Sequence, residues 1–296
     1  MNQSNQPLVS VVIPCYNHEN FVQDSIQSVI DQTYQNIELI IIDDGSKDGS
    51  VEKVQEMLPA CKERFVRFEF RHRTNKGLSA TLNEALEWCE GEYYSAFASD
   101  DIMLSQKIEV QVGFFNESFN SNILGVFGGY ELIDQYNNIL NTSLKKYEEY
   151  AFNEIFMHQF ELPAPSSLLK ISKVREIGGY DPNIKIEDWY MWLKMTESGG
   201  KLVYLPKILC RYRSHLNNFS KNIEVLQIER EKVVNSFKHY DLYDRAKINI
   251  NWYKATDCSK VSKIESIKEG FKIVFNRPSE LISRNFVRFL YYLVCK

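Results

Sequence analysis

The chain has 296 residues, of which 44% are hydrophobic and 25% are charged, and its formal net charge is −4. This composition is typical of a globular protein with a substantial core, arranged as one large domain or two modest ones. The overall charge gives no reason to expect nucleic acid as a partner. The charge is uneven, however, because residues 221–296 carry 15 Lys and Arg against 9 Asp and Glu. This basic C-terminal quarter favours an anionic surface as its neighbour.

The cysteines and the apolar runs indicate a cytoplasmic protein. The six cysteines are scattered without a CxxC pair, as expected for free thiols in a reducing compartment. The N-terminal stretch "MNQSNQPLVS" is polar and does not resemble a signal peptide. The longest apolar run, near "FVRFLYYLV", is shorter than the roughly 18 to 20 residues needed to span a bilayer.

Strand-like and helix-like segments alternate through the first third of the chain. The strand-like segments are short and apolar, and they read "LVSVVIP", "IELIIIDDGS", "RFVRFEF" and "EYYSAFAS". The segments between them have amphipathic helical spacing, and they read "FVQDSIQSVIDQ", "SVEKVQEML" and "LSATLNEALEWC". Strands joined by helices predict an α/β fold, with a mostly parallel sheet flanked by helices in a Rossmann-like nucleotide-binding half.

Polar residues follow each of the four predicted strands. In strand order they are residues 14–20, Asp43 with Asp44, residues 71–77, and Asp100 with Asp101. Acids and glycines after strands commonly form turns and helix caps, and that interpretation stays open for "DDGSKDGS" alone. Ligands of parallel sheets bind outside the carboxyl ends of the strands, so four clusters at one edge favour a binding site there.

A second pair of acids lies in the segment "IKIEDWYMWLKM". Glu187 and Asp188 stand at the start of a predicted helix, where an acid is often only a first-turn residue favoured by the helix dipole. Trp189 and Tyr190 are candidates for stacking on sugar rings, whereas the spacing of Trp192 favours a place in the core.

The residues after 220 are predicted to form helices. These segments read "NIEVLQIEREKVVNSFKHY", a stretch around "YDRAKININ", and "PSELISRNFVRFLYYLV", with Ser279 capping the last one. The last segment combines Arg284 and Arg288 with the apolar residues Leu281, Ile282, Phe286, Phe289 and Leu290. Two interpretations stay open, a helix lying on an anionic bilayer and a helix packed back on the rest of the protein.

The sequence resembles the family 2 glycosyltransferases, inverting enzymes of the GT-A fold that use nucleotide-activated sugars. The segments that carry the resemblance are "VSVVIPCYNHENFVQDSIQSVIDQTYQNIELIIIDDGSKDGS", "NKGLSATLNEALEWCEGEYYSAFASDD", "GGYDPNIKIEDWYMWLKM" and "YLPKILCRYRSHLNNFS". The resemblance covers roughly residues 8–220 in order. It implies a GT-A domain over residues 1–220 and a helical extension over residues 221–296, the latter with a membrane-surface role as one option.

The resemblance also implies which residues bind the nucleotide-sugar donor. Asp43 would contact the base, usually uracil, because an acceptor-only carboxylate pairs with the imide N–H. Arg73, or Arg71 in its place, would add to the base or phosphate contacts. The residues implied to line the donor site are Pro14, Tyr16 and Asn17 after the first strand, the "NKG" turn with Asn75, Lys76 and Gly77, and Asp100 after the fourth.

The "ASDD" segment resembles the end of the family's metal motif, which holds Mn2+ or Mg2+ against the donor diphosphate. Asp101, the last acid of this motif, is the expected direct ligand. Many relatives have a further acid where this chain has Ala98, so fewer protein ligands are expected here. His215 resembles a position where some relatives place another metal or phosphate contact, with a surface or capping histidine as the alternative.

The resemblance assigns the catalytic base to the second acid of the later pair, Asp188, with Glu187 as the reserve candidate. The base would take the proton from the acceptor hydroxyl as it attacks the anomeric carbon opposite the leaving diphosphate, which inverts that carbon.

The resulting hypothesis is a metal-dependent transferase that moves a hexose or N-acetylhexosamine from a UDP-sugar to a glycan or polyprenyl-diphosphate-linked sugar. Such an enzyme would act in bacterial surface polysaccharide synthesis, for O-antigen or capsule, in the cytoplasm or on the inner face of the plasma membrane. A nucleotidyltransferase is disfavoured because "PCYNHEN" lacks a glycine-rich basic loop, and a dehydrogenase because G-x-G-x-x-G is absent. Ala98 leaves a non-catalytic nucleotide-sugar or glycan binding protein as the alternative.

Overall fold

A computed structural model describes residues 6–118, 122–215 and 222–295. The chain divides into two compact units. Of the described residues, the first unit contains 6–118, 122–152, 161–183 and 191–215, and the second contains 153–160, 184–190 and 222–295. The domain boundary predicted after residue 220 lies outside the described residues and remains a prediction. The end of the last family-like segment also lies outside them.

In the part of the chain that the structure describes, the first unit is built on a mixed sheet of ten strands. The strands are β1 (Val9–Cys15), β2 (Ile37–Asp43), β3 (Arg67–His72), β4 (Tyr93–Ala96), β5 (Ile102–Met103), β6 (Ile123–Ile133), β7 (Ile139–Ser143), β8 (Glu148–Tyr150), β9 (Leu168–Lys170) and β10 (Lys201–Arg213). Their order is β3-β2-β1-β4-β9-β6-β10-β5, with β7 paired to β6 and β8 paired to β10.

The four strands predicted from the sequence are present and parallel. All seven residues of β2 are buried, because helices cover both faces of this part of the sheet. The sheet continues past β4 through β9, which is antiparallel to both β4 and β6, and β10 runs parallel to β6. The predicted α/β fold is confirmed, and the antiparallel strands of the second half are what the sequence pattern did not predict.

Seven helices are described before residue 216. They are α1 (Val22–Ile30), α2 (Ser50–Arg64), α3 (Leu78–Trp88), α4 (Lys107–Glu117), α5 (Phe152–Phe156), α6 (Ile171–Glu176) and α7 (Glu187–Glu197). Helix α1 buries Val22, Ile26 and Val29 against the sheet, as its apolar spacing predicts.

The second unit contains four helices among the described residues after 221. They are α8 (Ile223–Asn235), α9 (Tyr243–Cys258), α10 (Lys263–Asn276) and α11 (Arg284–Cys295). Their core is built around Trp252 of α9, with Ile273 of α10 and Phe289 of α11. Helix α10 was not among the predicted helices. In the described part of the chain, no helix has the length and apolar character required to cross a membrane.

The start of α11 differs from the prediction. Residues Pro278–Ile282 form a short 3₁₀ turn rather than the first turn of the helix. Ser283, not Ser279, precedes α11, and its Oγ accepts a hydrogen bond from the Phe286 N–H at 3.1 Å. The reason is that Ser283 has extended backbone angles, as helix N-caps require.

Lys107 of α4 is a fully buried amine in the first unit. Its Nζ donates to Ser95 Oγ at 3.0 Å and to the Ser167 carbonyl at 2.9 Å. Burial lowers the pKa of Lys107 to about 7. The folded chain therefore releases this proton at a lower pH than the unfolded chain does.

We predict that the free energy of unfolding rises with pH between about 7 and 10 because of Lys107. In this window the unfolded chain holds a proton that the folded chain lacks, which is worth about 1.4 kcal/mol for each pH unit. Urea unfolding at several pH values would measure the slope. Lys107→Met is the test variant, because it keeps an unbranched side chain only one heavy atom shorter and removes the titration. An unchanged slope in Lys107→Met would contradict the assignment.

Candidate functional site

The turn after β1 is tied to the turn after β2. Asn17 has a φ of 55°, in the left-handed region that asparagine tolerates better than most residues. Its Oδ1 accepts a hydrogen bond from the Lys47 N–H at 2.8 Å, and its own N–H donates to Ser46 Oγ at 2.9 Å. The His18 N–H donates to Ser50 Oγ at 2.9 Å. Asn17 therefore organises these two turns at one edge of the sheet.

Asp43 ends β2 and lies in register with Cys15 of β1 and His72 of β3. Its side chain is fully buried. Oδ1 accepts hydrogen bonds from the N–H groups of Gly45 and Ser46 at 3.1 and 2.9 Å, and lies 2.9 Å from His72 Nδ1. Oδ2 accepts from Ser46 Oγ at 2.5 Å. Asp43 thus fixes its own turn, and the half-exposed His72 ring is open to solvent beside it.

Asp44 holds the loop that follows β3. Its carboxylate accepts hydrogen bonds from the N–H groups of Lys76 and Gly77, both at 2.8 Å, and from the Arg73 guanidinium. Arg73 Nε also donates to Glu84 Oε2 at 2.8 Å. Burial works against the charge of Arg73, but the two carboxylates outweigh it and raise the pKa of this guanidinium. Arg73, predicted to bind the donor, is engaged by protein carboxylates.

Other residues predicted to bind the donor have more open side chains. Tyr16 and Lys76 are exposed, and Pro14 is partly buried. The Arg71 side chain is also exposed, with its guanidinium 3.1 Å from the centre of the Trp88 ring. Tyr16 is thus open to a ligand at this edge, whereas Lys76 Nζ and Arg71 Nη1 lie 3.7 and 4.0 Å from Glu84, the carboxylate that also pairs with Arg73.

Asp100, His215 and His18 come together after β4, and we call them the Asp-His-His cluster. One ligand atom from each lies within 4.8 Å of the other two. His215 Nε2 is 2.8 Å from Asp100 Oδ2, and His18 Nδ1 is 2.7 Å from Ser99 Oγ. Burial opposes ionisation of Asp100, but the hydrogen bond from His215 and the nearby His18 outweigh it and lower the Asp100 pKa.

Asp101 has different surroundings from its neighbour. Its Oδ1 accepts a hydrogen bond from the Arg213 N–H at 2.8 Å, and the residue is almost fully buried. Burial and the charge of Asp100 raise the pKa of Asp101, and Arg213 opposes this only in part. The structure therefore brings Asp100, rather than Asp101, together with His215. The direct-ligand role of Asp101 remains a prediction that these contacts do not support.

The Asp-His-His cluster has the chemistry of a divalent metal site. One carboxylate and two imidazoles fit a transition metal ion such as Mn2+ better than Mg2+, which prefers an all-oxygen shell. The chain has Ala98 where relatives were expected to offer another acid, and His18 adds a nitrogen donor from the neighbouring turn. The residues present therefore fit a metal ion with fewer carboxylates than the motif usually provides.

Sequence reasoning missed His18 and Arg213. His18 stands in the polar turn after β1, but only the parallel pairing of β1 with β4 shows that this turn meets Asp100. Arg213 is fully buried, and its Nε donates to the Asp100 carbonyl at 2.7 Å while Nη2 lies 3.2 Å from Asp24 Oδ2. A buried arginine at the end of β10 has no signature in the sequence pattern.

Glu187 and Asp188 belong to the second unit, at the first turn of α7. Asp188 Oδ1 accepts a hydrogen bond from the Trp189 N–H at 2.6 Å. Burial, followed by the charge of Asp188, raises the pKa of Glu187 to about 8. Burial also raises the pKa of Asp188, against the opposing Trp189 hydrogen bond. The pair therefore holds a proton at a pH where isolated carboxyls would have lost theirs.

Trp189 and Trp192 are buried, whereas Tyr190 is only partly buried. Trp189 is buried, its Nε1 donates to the Ile155 carbonyl at 3.0 Å, and His158 packs against its ring at 4.6 Å. Trp189 is therefore not available to stack on a sugar, contrary to the expectation from the sequence. Trp192 is buried against Phe127 at 4.9 Å, which confirms its predicted place in the core.

Comparison with known sequences identifies the family. Residues 10–178 match the model of "Glycosyl transferase family 2". An uncharacterized glycosyltransferase of Haemophilus influenzae is 32% identical over 251 residues, which cover 81% of this chain and 96% of the relative. The putative teichuronic acid biosynthesis glycosyltransferase TuaG of Bacillus subtilis is 29% identical over 220 residues, 73% of this chain and 83% of TuaG.

Several relatives are longer than this chain. The matched region spans only 33% to 64% of the length of the Rickettsia glycosyltransferases that resemble it, at 29% to 33% identity.

Solved structures share the fold at low sequence identity. S. aureus TarS in complex with UDP-GlcNAc has a TM-score of 0.63 and 15% identity, covering 97% of this chain and 81% of that one. The mannosyltransferase PcManGT from Pyrobaculum calidifontis, in complex with GDP-Man and Mn2+, has a TM-score of 0.62 and 13% identity, covering 98% and 86%. These similarities confirm the predicted fold of GT-A type. The match to the family model and the similarity to the Haemophilus influenzae relative show that this chain belongs to glycosyltransferase family 2.

Proposed function

We propose that this chain is a metal-dependent inverting transferase that moves a hexose or N-acetylhexosamine from a UDP-sugar to a hydroxyl of a glycan or a lipid-linked sugar. The Asp-His-His cluster is the observation that carries the proposal. It follows β4 at the carboxyl edge of the parallel strands, where the turns after β1 and β2 also lie. A cation-binding cluster beside nucleotide-binding turns is what transfer from a nucleotide diphosphate sugar requires.

The donor base is proposed to be uracil. Asp43 has spare acceptor capacity on Oδ2, which accepts one hydrogen bond, and an acceptor-only group pairs with the imide N–H of uracil. The half-exposed His72 next to Asp43 offers a second contact at the same position. The structural neighbours bind UDP-GlcNAc in one case and GDP-Man in the other, so uracil and guanine nucleotide sugars are the two donors to compare.

The cation is proposed to be held by Asp100, His215 and His18. When bound there, a divalent ion supplies positive charge that stabilises the diphosphate leaving group. Asp100 is kept ionised by its histidine partners, and Arg213 holds its backbone carbonyl in place. Asp101 is proposed to support this loop rather than to bind the ion, because its carboxyl is directed at the Arg213 N–H.

Asp188 is proposed as the catalytic base, with Glu187 as its neighbour. A base must accept a proton from the acceptor hydroxyl, and a carboxyl whose pKa is raised by burial accepts that proton more readily. Attack on the anomeric carbon opposite the leaving group inverts its configuration. The first-turn position of Asp188 in α7 gives the side chain a rigid support.

The acceptor is proposed to be a glycan or a polyprenyl-diphosphate-linked sugar of a bacterial surface polysaccharide, such as O-antigen or capsule. The support is the similarity to TuaG, whose name assigns it a putative role in teichuronic acid biosynthesis. We place the reaction in the cytoplasm, at the inner face of the plasma membrane.

The proposal is tested by ligand binding and turnover. The thermal unfolding experiment is carried out in the presence of Mn2+. We expect UDP and at least one UDP-sugar to raise the melting temperature and GDP-mannose to leave it unchanged, because only ligands that bind the folded state stabilise it. The stabilising UDP-sugar should then be hydrolysed or transferred, and proton NMR of the product should show the inverted anomer. Protection by GDP-sugars alone would contradict the uracil assignment. Binding without any turnover would indicate a nucleotide-sugar binding protein instead.

We predict that Asp100→Asn weakens Mn2+ binding by at least about tenfold, whereas Asp101→Asn leaves it within about twofold. Asparagine at 101 imitates a protonated aspartate and keeps an acceptor for the Arg213 N–H. Electron paramagnetic resonance of free Mn2+ measures both affinities without catalysis. His215→Ala and His18→Ala should each weaken binding, and His239→Ala in the second unit is the matched control. The opposite ranking of the two asparagine variants would restore Asp101 as the direct ligand.

We predict that Asp188→Asn lowers kcat by about 10² to 10⁴, the usual contribution of a general base, while UDP-sugar protection is unchanged. Glu187→Gln should keep most of the activity at neutral pH. Initial rates at saturating donor measure the effect. Full activity in Asp188→Asn, with strong loss in Glu187→Gln, would exchange the two roles.

We predict that Glu187→Gln also changes how the free energy of unfolding depends on pH. Glu187 has a raised pKa in the folded chain, so its ionisation destabilises the fold as pH rises from about 4.5, its ordinary value, towards about 8. The free energy of unfolding should fall less steeply across this window in Glu187→Gln than in the wild type. Equal slopes would show that Glu187 is not buried beside Asp188 in solution.

A further inference from the structure

Helix α11 is apolar on two opposite faces. One face is internal, where Phe289 is buried against Trp252 of α9 with a ring separation of 5.4 Å. The other face is exposed and carries Val287, Leu290, Tyr291 and Val294, at the i, i+3, i+4, i+7 spacing of a helical stripe. Phe286 and Phe289, two of the apolar residues of the predicted C-terminal helix, belong to the packed side. The exposed face is made of other residues.

Helix α10 carries a second exposed apolar stripe. It consists of Ile264, Ile267, Phe271 and Phe275, again along one side of the helix. Leu281 and Ile282 of the 3₁₀ turn join the two helices and are also exposed. Ile282 and Phe275 keep 91% and 87% of their surface open to solvent. We call these ten residues of α10, the 3₁₀ turn and α11 the apolar face.

A groove connects the two stripes. It is lined only by apolar residues of α10, the 3₁₀ turn and α11, among them Phe271, Leu281 and Leu290 of the apolar face, and it holds about 340 Å³. Gly270 forms part of the wall, and a side chain there would meet the Phe289 ring at 2.7 Å. Contiguous apolar surface of this kind on a folded unit marks a binding surface rather than ordinary exposure.

Basic residues accompany the apolar face. Residues 261–296 contain seven Lys and Arg against three Asp and Glu. Of the acids, Glu280 is buried and accepts from Trp252 Nε1 at 2.8 Å, and Glu269 pairs with Lys254 and Lys272. Helix α11 contains Arg284 and no acid at all. The net charge around the apolar face is therefore positive.

We propose that the apolar face is a docking surface for an anionic lipid bilayer, with α10 and α11 lying in the plane of the interface. Apolar side chains beside lysines and arginines suit the boundary between headgroups and acyl chains. A second copy of the chain is the less suitable occupant. Isologous pairing would bring the same basic borders together, and like charges across an interface oppose association.

This inference goes beyond the transfer reaction, because a lipid surface can be bound without any sugar donor. The two proposals can therefore fail separately. Vesicle binding is measured in the absence of nucleotide, whereas donor protection is measured in the absence of lipid.

The test is sedimentation of the full chain with vesicles of mixed phosphatidylglycerol and phosphatidylcholine, compared with phosphatidylcholine alone. We expect the affinity for the anionic vesicles to be at least about tenfold higher than the affinity for the neutral vesicles. Each basic residue removed, starting with Arg284→Gln, should lower the affinity for the anionic vesicles by about fivefold. The triple variant Phe275→Ser, Ile282→Ser, Val294→Ser should lose binding altogether.

The control variant replaces exposed apolar residues of the first unit, Val66→Ser, Tyr136→Ser and Leu140→Ser, and should bind as the wild type does. Circular dichroism and thermal unfolding verify that both triple variants are folded, as expected for exposed positions. Equal binding to neutral and anionic vesicles, or retained binding in the first triple variant, would overturn the proposal.

A second measurement distinguishes insertion from loose adsorption. Ile282→Trp should be quenched by brominated lipids in anionic vesicles, whereas Tyr136→Trp should not. Failure to bind either vesicle, combined with dimers in analytical ultracentrifugation that the first triple variant abolishes, would identify a second copy as the occupant and refute the lipid assignment.

Discussion

The parallel pairing of β1 with β2 and with β4 is the constraint on which the donor site depends. This register places Cys15 beside Asp43, and Val12 beside Ala96, so the turns that follow the three strands share one edge of the sheet. The Lys47 N–H and Ser46 Oγ then bond to Asn17, which fixes the first two turns relative to each other. Without this register, His18 would not lie near Asp100, and neither residue alone would suit a metal ion.

Two adjacent acidic side chains can both be buried only if they do not both carry an uncompensated negative charge. Asp100 is stabilised as an anion by imidazole partners, whereas Asp101 has an elevated pKa and a backbone N–H as its partner. Arg213 binds both residues. Its backbone N–H donates to the Asp101 carboxyl group, and its Nε donates to the backbone carbonyl of Asp100. This arrangement avoids the repulsion of two uncompensated carboxylates, and it leaves one anion for a ligand.

The sequence was sufficient for elements whose signal is local. The seven buried residues of β2 and the helical spacing of α1 are visible in the apolar pattern, and strand ends identify one edge as the site. Contacts between distant segments were not predictable. To decide between Asp100 and Asp101 as the metal ligand, one needs the position of Arg213, which is 112 residues away from Asp101 along the chain. The bond between Arg73 and Asp44 joins two different loops, so the sequence could not show that this predicted donor-binding residue already has a carboxylate partner.

The helices after residue 221 show why amphipathic patterns are ambiguous. Helix α11 was predicted to have one apolar side that either lies on a bilayer or packs on the protein. The helix instead has two apolar sides, and the packed side contains Phe289. Folding of the unit requires only that packed side, since it completes the core around Trp252. The outer stripe adds nothing to that core and exposes apolar surface to water, which is unfavourable in an isolated chain. A surface of this kind, flanked by basic residues, is explained by a partner that offers both hydrocarbon and negative charge.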